Sequence, residues 1–356
     1  MKKFTFLLAL LIILGSFAGC GQNTENSEKS GDEKEKVQET QVSEDEDTPY
    51  KESEAEKTQY PLTIKTFEQS VTFEKAPEKI GVFQYNAAEI LAGLGLADKI
   101  TALRGEKNAI VDVLPEYRDA LEKVPKPEAI NVDESIPTLE NMLNLDIDVL
   151  ILNSYFFNVA TFGKPEDYIN NGINLYITEG SYVPNCEIEN TYNDIRNLGK
   201  IFDVSAKAES LIEELKKKET YVSEAVKEKE KVPTMILSGE SDEKVWVAGG
   251  VGLANNILKA AGGENVFSDI DKQFASTTYE EVINRNPEVI VVVRNSGDEK
   301  GGEVSIEHLK NRPELSDVNA IKNNRFIVVT LNSIFPGIQN VYSLETIAKN
   351  LHPDAF

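Results

Sequence analysis

The 356-residue chain has two cysteines, two histidines and one tryptophan. Each scarcity removes a class of explanation. Cys20 and Cys186 lie far apart in unlike settings, so no disulfide framework holds the fold. His308 and His352 are too few for a histidine-based zinc or manganese site. Basic side chains are also short: 37 Lys and Arg face 60 Asp and Glu, for a formal charge of −23. That balance argues against nucleic acid and against an anionic membrane surface as partners. The apolar stretch FTFLLALLIIL near the start is too short to span a bilayer comfortably. HExxH, a nucleophile elbow and a Walker motif are all missing. GGVG at 249–252 completes neither the P-loop nor the dinucleotide fingerprint. The chain is therefore read as no enzyme, with a surface-anchored hydrolase or an adhesin as the alternatives from other classes.

Residues 1–19 read as a targeting segment. Lys2 and Lys3 form a positive start, the apolar stretch follows, and SFAGC ends in small residues before Cys20. The pattern resembles a bacterial lipoprotein signal with its lipobox, with Phe17 where Leu is usual. That resemblance implies cleavage before Cys20 and a lipid on its sulfur, which leaves Cys186 without a partner. Residues 20–58 are rich in Glu, Lys, Ser, Gln and Asp and hold almost no large apolar side chain. Such a segment cannot bury enough surface to offset its ordering entropy, so a disordered acidic tether is expected.

One stretch occurs twice. TLENMLNLDIDVLIL at 138–152 and TYEEVINRNPEVIVV at 278–292 share Thr138/Thr278, Glu140/Glu280, Asn144/Asn284 and Val149/Val289. Each copy reads as a cap, a short helix, a tight turn and a strand. Thr138 and Thr278 suit N-caps, and Thr278 with Glu281 has the form of a capping box. Unbroken DVLIL and EVIVVV suit strands covered on both faces, as in parallel α/β sheets. Strands and helices alternate around each copy, after an opening hairpin of PLTIKTF and SVTFEK. In the first half KIGVFQ, KITALRG and EAINVD read as strands, with a helix from Pro115 and another over 164–172. Between the halves, from Glu189 to Lys231, only helical periodicity is present. Ala206, Ala208, Leu211, Ile212, Leu215, Val222 and Val226 line one face of a helix capped by Ser205 and about 35 Å long. The fold class expected is α/β: two similar lobes with mainly parallel sheets, over 59–188 and 232–356. Connecting helices at 189–231 join them, and a ligand cleft lies between the lobes.

In open α/β sheets a ligand sits beyond the carboxyl ends of strands. The candidates there are Arg104, Arg294, Tyr85, Tyr155, Tyr182, Trp246 and Phe335. ITALR and VIVVVR end directly in arginine, one per half, which suits a large anion shared between lobes. Aromatic rings would cover planar groups of such a ligand. Core packing for the rings, and plain salt bridges with the many glutamates for the arginines, remain open.

Several stretches, in this order, carry a family resemblance: RNLGKIFDVSAKAESLIEEL, VWVAGGVGLANNILKAAGGENVF, TTYEEVINRNPEVIVV, NAIKNNRFIVV and AKNLHPDAF. The chain over roughly 60–356 resembles the substrate-binding lipoprotein of an ABC importer. The class is the one with a single rigid connecting helix, which serves iron–siderophore complexes, cobalamin and haem. Ile147 stands where that family commonly has proline, whereas Pro287 keeps it. The resemblance implies a monomer held on the outer face of the cell membrane by its lipid. Its partners would be a dimeric permease with a cytoplasmic ATPase, and it would carry no resident cofactor. It also implies that Glu140 and Glu280 meet permease arginines. Both fall in a first helical turn, where an exposed carboxylate is favoured. The ligand expected is a ferric siderophore. Cobalamin has little need of two arginines, and haem is kept open by Tyr85 and Tyr182.

Overall fold

A computed structural model describes residues 57–131 and 136–356. The targeting segment, Cys20 and all but the last two residues of the expected tether lie outside them. Thr58, read as tether, is bound: its N–H donates to Asp203 Oδ1 at 2.6 Å and its hydroxyl to the Lys200 carbonyl at 2.8 Å.

The first lobe opens with an antiparallel hairpin, β1 (Leu62–Thr66) and β2 (Gln69–Phe73). Then come β3 (Ile80–Phe83), α1 (Tyr85–Gly93), β4 (Ile100–Arg104), α2 (Pro115–Glu122), α3 (Leu139–Leu143), β5 (Val149–Leu152), α4 (Pro165–Asn170) and β6 (Asn174–Ile177). The four strands after the hairpin form one parallel sheet in the order β4-β3-β5-β6. Every residue of β5 is buried, as its unbroken VLIL requires of a strand covered on both faces. The described part of EAINVD, residues 128–131, does not form the expected strand, and its last two residues lie outside the described ones. Residues 128–130 make a 3₁₀ turn, which Asn131 closes by donating its side-chain amide to the Leu103 and Pro127 carbonyls at 3.0 and 2.9 Å.

Two helices follow, α5 (Ile188–Ile201) and α6 (Ser205–Val226). α6 starts beside the first lobe: a Cβ on Gly93 of α1 would stand 2.9 Å from Leu211. It ends at the second lobe, where Gly262 faces Val226. Six of its seven expected apolar residues are buried and Ala206 is exposed; the five larger ones each contribute about 1.5–3 kcal/mol by leaving water. Ser205 is the first helical residue rather than the cap, and no side chain closes that end.

The second lobe holds β7 (Val232–Glu240), β8 (Val245–Ala248), α7 (Leu253–Ala260), β9 (Gly263–Asn265), β10 (Phe274–Thr277) and α8 (Tyr279–Arg285). β11 (Val289–Arg294), α9 (Gly301–Lys310), α10 (Asn319–Lys322), β12 (Phe326–Thr330), α11 (Leu331–Ile334) and α12 (Gln339–Leu351) complete it. Its six strands run β10-β8-β7-β11-β12, with β9 on the start of β7. β9, β7, β11 and β12 are parallel, β8 is antiparallel to β7, and β10 is antiparallel to β8.

The repeated stretch folds alike in both lobes, with local differences. Thr138 makes a full capping box with Asn141. Thr278 accepts from the Glu281 N–H at 3.3 Å, but the Glu281 carboxylate turns to Arg285 instead of closing the box. Before Pro287, Asn286 ends α8 in a left-handed conformation at φ 42°, whereas Asn144 ends α3 with helical angles. The missing proline thus goes with a different turn. One apolar core passes through both lobes, from Val82 and Ile151 across α1, α5 and α6 to Val291 and Leu344. Smaller cores cover the outer face of each sheet.

Candidate ligand site at the lobe junction

In the first lobe the strand order reverses between β3 and β5, and a buried polar chain ties their carboxyl ends. Thr178 donates to Asn153 Oδ1 at 2.5 Å, Asn153 donates to Gln84 Oε1, and Gln84 donates to Glu106 Oε1 at 3.3 Å. Gln84 holds φ 72° and ψ 147°, a region essentially restricted to glycine. Such strain collects at functional turns, and here it starts α1 at the switch point. Next along, the Tyr85 ring lies so close to Gly105 that a Cβ there would be 2.5 Å away. Burial pushes the Tyr85 phenol up to about 12.

Arg104 ends β4 as expected, and is 8% exposed between the rings of Phe83 and Phe156, at 5.7 and 5.6 Å. Arg294 ends β11 and reaches across to the first lobe. It grips Asp112 with both terminal nitrogens, at 3.0 and 2.5 Å, and the Gly297 N–H donates to the same carboxylate at 2.7 Å. The pair is nearly sealed, with side-chain exposures of 14% and 5%. Gly297 has φ 79°, and a Cβ on it would meet the Lys107 carbonyl at 2.2 Å, so only glycine allows this close approach.

More contacts close the junction. Gln339 donates to both oxygens of Glu89, at 2.9 and 2.8 Å, and to the Asp112 carbonyl at 2.8 Å. Burial raises the Glu89 carboxyl to about 7 despite donation from Gln339 and from the Leu114 N–H. Asn86 donates to the Pro336 carbonyl at 2.6 Å. Tyr155 donates to Gln273 Oε1 at 3.3 Å and its ring meets Phe335 at 5.7 Å. The gap around that pair is about 10 Å³, too small for a chelate.

The structure thus brings Tyr155 and Phe335 together from opposite lobes and pairs Arg294 with Asp112. Tyr182 sits apart from Phe335, edge-on to Phe67 at 5.5 Å. With Tyr155 it lines a pocket of about 500 Å³ in the first lobe. Trp246 is half-buried in β8, paired with Gly239 near the carboxyl end of β7. Val245 and Val247 face the outer core, so alternation turns the indole to the other face. Glu140 and Glu280 are exposed in the first turns of α3 and α8. His308 lies in α9 and His352 is buried beside the Gly262 carbonyl. Among the described residues no group of three His, Cys, Asp or Glu is placed to hold a metal, and no helix is long and apolar enough to cross a membrane.

Asp112, Gln339, Gln273 and Phe67 were not among the sequence candidates. None directly follows a strand of the parallel order, and each gains its place from a distant partner. Asn153 directly follows β5, and the strand-end rule could have found it.

Residues 81–331 match the model of the periplasmic binding proteins. The chain belongs to that family. Its members are solute-binding proteins rather than enzymes, act outside the cytoplasm and work with an ABC permease and its ATPase. The chain is 23% identical to the petrobactin-binding protein YclQ of Bacillus subtilis, over 92% of this chain and 90% of that protein. It is 30% identical to the haem uptake protein IsdE of Staphylococcus aureus, over 36% of this chain and 44% of that one. A periplasmic binding protein from Veillonella parvula superposes with a TM-score of 0.71 at 25% identity, covering 84% and 93% of the two chains.

Proposed function

We propose that this protein captures a ferric siderophore at the lobe junction and hands it to a membrane permease. The observation that carries the reading is the Arg294 cradle. Two guanidinium nitrogens and the Gly297 N–H converge there on one carboxylate of the other lobe, and the aromatic pair Tyr155 and Phe335 meets across the same lobe junction. That donor set suits an anionic chelate, and similarity to a petrobactin-binding protein over nearly the whole length supports it. In this reading Asp112 holds the cradle while the site is empty. Arg104, Tyr85, Tyr182 and Trp246 complete the ligand set. Glu140 and Glu280 dock on permease arginines, with salt-sensitive steering, and Cys20 carries the lipid that keeps the protein at the membrane. The partial similarity to a haem uptake protein favours haem as the second reading. Against it, of the two tyrosines that kept haem open, Tyr85 is buried against Gly105 and Tyr182 packs edge-on to Phe67. Calorimetric titration of the purified protein with ferric siderophores, haem and cobalamin tests this. Submicromolar binding of an anionic ferric siderophore with weaker haem and cobalamin binding is expected. Tight haem or cobalamin binding with no siderophore response overturns the ligand class.

A further inference from the structure

We propose that the first lobe carries a separate subsite for an aromatic, catechol-like arm of the chelate. The subsite is the pocket of about 500 Å³ between the hairpin turn and the carboxyl ends of β5 and β6. The inference rests on the ferric-chelate reading and adds to it the chemistry of one arm.

Tyr155 is the shared wall. It lines both the closed gap facing Phe335 and this larger pocket. A chelate whose iron centre sits at the junction can therefore reach the pocket past a single side chain. The volume lies within the ordinary range for small-molecule sites. Three further rings from three segments furnish it: Phe67, Phe157 and Tyr182. Phe67 and Phe157 are almost parallel, 12° apart with centroids at 6.5 Å, which is the loose end of the stacking range. Tyr182 stands edge-on to Phe67. Lys164 at the rim supplies a cation for a catecholate oxygen, while Glu166 is engaged by the Gln69 amide at 2.7 Å.

The turn itself is the second, independent observation. Thr66 pairs with Gln69, so Phe67 and Glu68 form a two-residue hairpin turn. Such turns favour Asn-Gly, because positive φ is required. Here a phenylalanine occupies the left-handed region at φ 50°. A bulky aromatic at that angle is strained, and the strain places a ring over the pocket.

The strain also supplies a clean test, because asparagine and glycine suit that backbone better than phenylalanine does. Phe67→Asn, Phe67→Gly and Phe157→Leu are compared with the unaltered protein by equilibrium dialysis. The probes are a radio-iron tris-catecholate and radio-iron citrate, which has no ring. The variants are expected to weaken catecholate binding about tenfold, while citrate binding changes less than about twofold. Both Phe67 variants relieve the left-handed strain but give up the ring's packing on Phe157 and Tyr182, so their melting temperatures should stay within about 3 °C of the unaltered protein. Equal weakening of both complexes, or no weakening of either, overturns the subsite and leaves ferric binding intact. If the unaltered protein takes up neither complex, the ferric reading falls and the subsite falls with it.

Discussion

Replacing Asp112 with alanine would leave the Arg294 guanidinium largely buried and without its carboxylate. Removing one half of a buried pair costs about 3–5 kcal/mol, because the remaining charge stays desolvated. Arg294 keeps weak contacts to the Asn295 and Asp298 carbonyls, both at 3.3 Å, and is 14% exposed, so the lower end applies. For a fold of this size about 3 kcal/mol lowers the melting temperature by roughly 6 °C. Arg294→Ala should also destabilise, since Asp112 would keep only the Gly297 N–H at 2.7 Å. The double variant should recover much of the loss, giving a coupling of at least about 2 kcal/mol. Binding should move the other way. With Asp112 gone the cradle is open, so an anionic ferric siderophore binds Asp112→Ala more tightly than the unaltered protein. The double variant loses that gain. Thermal unfolding by circular dichroism and calorimetric titration read the two effects. A melting temperature within a degree of the unaltered protein, with coupling below about 0.5 kcal/mol, would refute the reasoning.

Two further outcomes follow from the same geometry. Glu89 sits buried with its carboxyl raised from 4.5 to about 7, so between those values the folded protein holds a proton that the unfolded chain has released. Its contribution is therefore present in full below about pH 4.5 and fades as pH rises to about 7, an effect of about 3 kcal/mol. Glu89→Gln should flatten that part of the profile of melting temperature against pH. Asp194, pushed up to about 8, acts with the same sign in both proteins and cancels in the comparison; parallel curves would remove Glu89 from the account. Glu140→Ala combined with Glu280→Ala should leave siderophore affinity unchanged and reduce uptake by cells about tenfold or more, and normal transport in that double variant ends the docking role.

The features legible in the sequence share a physical cause. VLIL and VIVVVR are continuous because both faces of their strands are covered, and that pattern needs no partner to be recognised. The apolar stripe of α6 and the threonine caps at 138 and 278 are equally local. What escaped depends on distant groups. EAINVD has the composition of a strand, but the Asn131 side chain fixes a turn. β9 and β10 are short and are held by pairing with β7 and β8 rather than by their own residues. Asp112 matters because of an arginine 182 residues away. Two arginines at strand ends were readable, but their separate fates were not: one lies between rings, the other clasps a carboxylate.

The apolar interior that passes unbroken from lobe to lobe also acts as a ruler. Because Val82, Leu215 and Leu344 belong to one continuous core, swinging the halves apart would expose it to water. The proposed cargo would then enter by parting the Tyr155–Phe335 and Asp112–Arg294 contacts rather than by a wide swing of the lobes, which leaves the spacing of Glu140 and Glu280 little changed. On the docking role proposed above, a membrane partner that gauged only that distance would be blind to loading, and the signal of a full carrier would come from the surface lying between the two carboxylates.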